Sequence, residues 1–169
     1  MRRLSEAYHH AARIGRPLNA LITFRPADID TVPASARSRL FGRLRDKLGA
    51  YARGRQHHFP PAFLWSREVE PNGAGEHMHV LMHVPARWRA HFDVTVTGWL
   101  PGATAVDVRP VHGRTRIVQN GKRFSVLNYM SKQMTPQAAW AFPQLRRKKG
   151  GTIIDKRSGV TRSLARSPI

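Results

Sequence analysis

The stretch GEHMHVLMHVP, residues 75–85, constrains the fold of this chain more than any other. In an extended strand successive side chains point to opposite faces. Met78, Val80, Met82 and Val84 then form one apolar row suited to a core. His77, His79, Leu81 and His83 form the other row. The apolar row does not need the histidines, so their face must have another use.

The surrounding sequence supplies partners for this strand. Residues 62–70, AFLWSREVE, read as a second strand, and Pro71, Asn72 and Gly73 as a turn. Residues 62–84 therefore predict a β-hairpin. Residues 18–25, LNALITFR, read as a strand stopped by Pro26. Residues 104–111, TAVDVRPV, alternate like a fourth strand, with Pro110 suiting an edge or a strand end. Helices are expected over 5–14, with Ser5 as N-cap, and over 34–53, where Leu40, Phe41, Leu44, Leu48 and Tyr51 share a face. Further helices are expected over 86–99, 124–134 and, from Thr135 or Pro136, to Phe142. Residues 113–121 read as a polar, basic loop. This order predicts an α+β fold, an antiparallel β-sheet flanked by helices that lie on one face. The chain has 169 residues, the size of one domain. The last stretch, 145–169, has eight Lys/Arg and one Asp and reads as a basic C-terminal tail, with some order around Thr152–Asp155.

Composition excludes several classes. Without cysteine there is no disulfide, thiolate zinc site or cysteine nucleophile. No apolar run is long enough to span a membrane, and the basic start lacks a signal-peptide core, so a cytoplasmic location and no membrane partner are expected. The 29 Lys+Arg against 10 Asp+Glu give a formal net charge of +19. Such a charge opposes compaction unless an anionic partner offsets it, and nucleic acid is the expected one.

Two imidazoles two residues apart on a strand face can share a metal ion, although such a pair also arises by chance in a chain with nine histidines. Glu68 and Glu70 share a face of the preceding strand, so the hairpin can place one of them beside His77 and His79. Two imidazoles and a carboxylate leave positions open for water or phosphate oxygens; the alternative is a surface acid pair balancing arginines. In VLNYMSKQM, Tyr129 and Lys132 are three apart and share a helix face. A tyrosine can act as a covalent nucleophile, and a nearby cation helps to ionise it. A half-buried tyrosine with a lysine folded along it is the alternative.

In their order along the chain these elements resemble the HUH-type endonucleases, specifically the single-tyrosine initiators of rolling-circle replication. That family carries a hydrophobic strand, then His-hydrophobic-His, then Tyr-x-x-Lys. The matching residues are LITF at 21–24, His77-Met78-His79, and Tyr129 to Lys132. The resemblance covers about 17–134 and implies a nicking domain over 1–144. It implies an antiparallel sheet flanked by helices, with the histidines on a central strand and the tyrosine on a later helix. It further implies Mg2+ or Mn2+ held by His77, His79 and a third ligand, with Glu68 preferred and Glu70 second. Tyr129 becomes the nucleophile, and Lys132 positions the phosphate. His83 lies outside the motif and is assigned a structural or peripheral place. Only one tyrosine stands in the motif and there is no Walker A sequence, so neither a two-tyrosine mechanism nor a fused helicase is expected.

The implied activity is sequence-specific nicking and joining of single-stranded DNA through a 5′-phosphotyrosine intermediate. The DNA would be an origin hairpin or nick site of a plasmid or phage, and host replication proteins would be further partners. Arg25, Arg109, Arg114, Arg116, Lys122 and Arg123 are the expected nucleic-acid contacts, with other arginines in 37–55 as further candidates. Trp65, Trp88, Trp99 and Phe124 are expected in the core rather than against bases. Three alternatives stand beside this. They are a non-catalytic single-strand-binding protein of the same fold, a relaxase- or transposase-type HUH enzyme of a mobile element, and an unrelated metal-dependent hydrolase.

Overall fold

A computed structural model describes residues 2–111, 116–119, 122–131, 150 and 152–165. Its centre is an antiparallel sheet of five strands. Four of them are β1 (Ala20–Phe24), β2 (Phe63–Glu68), β3 (His77–Met82) and β4 (Val106–Pro110). The fifth, β7 (Ser158–Val160), comes from the C-terminal segment, and the order across the sheet is β4-β1-β3-β2-β7. The histidine strand β3 is therefore the middle strand, paired on both sides. Pro110 lies at the end of an edge strand, where its missing N–H costs nothing.

The alternation of β3 holds, and both faces of the sheet are covered. On one face Ile22, Phe24, Trp65, Met78, Val80 and Met82 pack beneath helices α2 (Ala34–Arg53) and α3 (Arg89–Thr97). A short 3-10 turn, Ala86–Trp88, leads into α3. In α2 the contacts are Phe41, Leu44, Leu48 and Ala52, a stripe at helical spacing. Trp65 is buried in this core, and Trp88 and Trp99 pack against it.

The second face corrects the expectation of helices on one side only. Leu21, Leu64 and Leu81 make its middle apolar, and uncovered they would leave a hydrophobic patch in water. They are capped by α1 (Arg2–Arg13), α4 (Val126–Ser131) and the single turn α5 (Arg162–Ala165), through Leu4, Ala7, Ala11, Val126, Met130 and Leu164. Helix α1 starts before Ser5, which lies inside it, because Leu4 belongs to the same stripe as Ala7 and Ala11.

Two more expectations differ from the structure. The region read as a basic loop and a helix start is a two-stranded ribbon, β5 (Arg116–Gln119) with β6 (Lys122–Ser125). Its register pairs Gln119 with Lys122, so two residues, Asn120-Gly121, connect the strands. Asn-Gly is the commonest sequence for a two-residue hairpin connection. Helix α4 follows directly, two residues later than expected at its start. The segment read as a tail contributes β7 and α5 to the fold. The helix expected from 135 to 142 lies outside the described residues. No described helix is long and apolar enough to cross a membrane.

Candidate functional site

The hairpin register builds the site. Antiparallel pairing sets Glu68 opposite His77 and Ser66 opposite His79, while β1 sets Thr23 opposite His79 on the other side. Directly opposed residues share a face, so Thr23, His79, Ser66, His77 and Glu68 lie together. Along this face the sheet runs from apolar (Leu21, Leu81, Leu64) to polar within one step of the pleat.

Glu68 Oε2 lies 3.4 Å from His77 Nε2 and 3.7 Å from His79 Nε2. One ligand atom from each of the three residues lies within 4.8 Å of the others, close enough to hold a metal ion. Glu68 and His79 are fully buried, at 1% and 0% exposure, while His77 is at the rim. A carboxylate removed from water favours a cation beside it.

The outer nitrogens are also held. His77 Nδ1 donates to the Gly75 carbonyl at 2.9 Å, which leaves the Nε2 lone pair facing Glu68. His79 Nδ1 lies 3.0 Å from the Thr23 hydroxyl; donating there, it too presents a lone pair at Nε2. Such partners orient metal-bound imidazoles and fix their tautomers. Two imidazole nitrogens and one carboxylate oxygen could hold a metal ion and leave its other positions open. The residues present therefore fit a metal.

Tyr129 reaches the same place from above. In α4, Val126 and Met130 are one turn apart and buried against the sheet. That anchoring sets the neighbouring Tyr129 ring edge-on to His79, with centroids 4.7 Å apart and planes at 61°. The two remaining tyrosines are placed otherwise. Tyr51 belongs to the core on the opposite face of the sheet. Its hydroxyl lies 2.8 Å from His91 Nδ1, and burial, then the charge of Asp93, push its phenol up, away from a ready phenolate. Tyr8 packs on α1 with its ring edge-on to His9.

The other expected residues divide. Glu70 lies past the end of β2, in the turn, where its N–H donates to the Ala74 carbonyl; it is not in the cluster. His83 Nδ1 donates to the Pro17 carbonyl, a structural contact away from the cluster. Arg25 is exposed just beyond β1. Arg109 is exposed on β4 and its Nε donates to Asp107 at 2.7 Å, so part of its charge is already met. Arg116, Lys122 and Arg123 are carried by the ribbon ahead of α4, and their side chains lie outside the described part, as does that of Phe124. Lys132 and Arg114 lie outside the described residues.

Sequence reasoning missed Arg157, at the entry to β7. Burial lowers its pKa, and the charge of Glu68 opposes that shift, so a cation sits within electrostatic range of the cluster. No local pattern marks it; only the pairing of β7 with β2 brings it there. Glu76 was also passed over. It forms a buried ion pair with Arg67 on the other side of the hairpin from Glu68, and Arg67 Nη1 donates to the Ile154 carbonyl.

Compared with protein-family models, curated proteins and solved structures, the chain has no match.

Proposed function

We propose that this protein nicks and rejoins single-stranded DNA in a sequence-specific manner, as a single-tyrosine initiator of rolling-circle replication of the HUH type. The observation that carries this reading is the Tyr129 ring packed on His79, itself in a buried cluster with His77 and Glu68. A metal-dependent hydrolase needs the cluster but has no use for a tyrosine against one of its ligands. A non-catalytic binder needs neither.

In this reading His77, His79 and Glu68 hold a divalent ion, Mg2+ or Mn2+. When bound, it would polarise the scissile phosphate and offset charge in the transition state. Tyr129 Oη attacks phosphorus and loses its proton. A bond forms from the phenol oxygen to phosphorus, and the bond from phosphorus to the 3′ oxygen breaks. The products are a 5′-phosphotyrosine link and a 3′-OH, which takes up a proton. Attack by a 3′-OH on the same phosphorus reverses the step and rejoins DNA. Arg157 adds fixed positive charge near the reacting phosphate, in a site that excludes water around Glu68 and His79. Lys132, one turn beyond Tyr129 in sequence, would steady the phosphate. The DNA, with host replication proteins as further partners, would meet the basic surface.

Labelled single-stranded oligonucleotides covering many sequences, incubated with protein and Mn2+, test this. Cleavage of a subset, lost with EDTA and lost in His77→Ala, is the expected result. Cleavage that persists in EDTA or in His77→Ala would remove the metal cluster from the chemistry.

A further inference from the structure

On the opposite face of the sheet from Glu68, the edge formed by β2 and β7 faces helix α2 across an open groove. It has two parts, of about 480 and 270 Å³, that meet at Arg45. Arg67 and Lys156 line the first part, and Arg53 and Arg162 the second. Arg67 is already paired with Glu76, and two acids, Asp46 and Asp155, also border the groove.

Arg45 is the centre of this arrangement. Its guanidinium lies over the Trp65 indole, 4.4 Å from the ring centroid. The indole in turn folds over Gly159 of β7, so closely that a Cβ there would come within 2.9 Å of Trp65 Nε1. Among the described residues Arg45 has no acidic partner within ion-pair distance, and its buried Nε has no hydrogen-bond partner. A cation held over an aromatic ring, with no acid in ion-pair reach among the described residues, is prepared for an anion.

We propose that this groove binds single-stranded nucleic acid by its phosphates, as a second contact separated by the sheet from the Tyr129 centre. Charge complementarity favours that occupant, because Arg45, Arg53, Lys156 and Arg162 outnumber Asp46 and Asp155 once Arg67 is paired. The groove is a cleft between α2 and the edge of the sheet, which suits a flexible strand better than a rigid duplex. A positively charged groove that tracks the phosphate backbone is a common means of holding single strands. The inference rests on the reading that the chain works on nucleic acid, but not on cleavage by Tyr129.

The test is binding of fluorescent oligothymidylate to Tyr129→Phe protein in EDTA, where nothing is cut, over a range of salt. Arg45→Ala is expected to weaken binding roughly ten-fold, the worth of one charge-assisted contact. It should make the log–log salt slope shallower by about 0.7, the value for one phosphate on a single strand. Arg45→Lys should keep most of the slope. Arg13→Ala removes the same charge from the end of α1, on the other face of the sheet, and should leave the slope unchanged. Arg53→Ala with Arg162→Ala, both exposed side chains, gives the same reading if loss of Arg45 disturbs folding. An Arg45→Ala protein that binds like the parent or like Arg13→Ala overturns the groove assignment and leaves the nicking proposal standing. Equal competition by a duplex overturns the single-strand assignment, and equal competition by polyglutamate overturns the nucleic-acid assignment. A parent that binds no oligothymidylate at any salt overturns the nucleic-acid reading itself.

Discussion

At the scale of single residues the site depends on side chains whose neighbours were built by strand pairing. His77 is at the rim of the cluster and His79 is inside it. Removing the first should cost metal binding with little change in stability. His79→Ala should also lower stability by about 1–3 kcal/mol, because it leaves a cavity and strips Thr23 of a buried partner. Calorimetry of Mn2+ binding beside thermal melting checks both. Equal melting temperatures for the two variants would contradict the burial difference. Protons compete with a metal ion for the imidazole lone pairs, so Mn2+ affinity should fall as pH is lowered. Affinity that does not change between neutral and mildly acid pH would point to a site without histidine. Thr23→Val keeps the shape next to His79 but removes the oxygen at Nδ1; it should weaken metal binding by about ten-fold or more, the usual cost of losing such a partner.

At the scale of elements, the C-terminal segment closes the sheet. The Arg67 N–H donates to the Arg157 carbonyl, Leu164 is buried beneath α1, and Trp65 lies over Gly159. Leu164→Ala should therefore destabilise the protein by about 2–4 kcal/mol, as for other buried leucines, and urea unfolding measures it. Removing 157–169 should unfold the edge of the sheet rather than only weaken DNA binding. A truncated protein with parental stability would show that β7 and α5 contribute little. Much of the sheet was legible beforehand. The Met78-Val80-Met82-Val84 alternation, the hairpin turn at Pro71-Asn72-Gly73 and the α2 stripe are local patterns, and each encodes its own element. The ribbon was missed, because its basic residues made 113–121 read as a polar loop. Strand β7 was not legible. Three residues, Ser-Gly-Val, form a strand only because β2 offers an open edge. The third ligand was half legible: periodicity put Glu68 and Glu70 on one face, but only the register and the end of β2 at Glu68 separate them. Arg157 depends on β7, so it was hidden with it.

For the molecule as a whole, the charge of +19 and the buried Glu68-His77-His79 cluster are different resources. In the proposed reading the charge gathers the polyanion from a distance, with a strong dependence on salt. In the same reading the cluster and Tyr129 would act only where one phosphate is seated. Loss of Tyr129 should then leave binding intact and remove chemistry. Tyr129→Phe keeps the ring against His79 and deletes the oxygen proposed to attack phosphorus. The most direct test is to trap the protein with a cleavable oligonucleotide, digest it and map the nucleotide by mass spectrometry. A nucleotide joined through its 5′-phosphate to the peptide containing Tyr129, and no adduct in Tyr129→Phe, is the predicted result. An adduct on Tyr8 or Tyr51, an undiminished adduct in Tyr129→Phe, or cleavage with no adduct at all would contradict it.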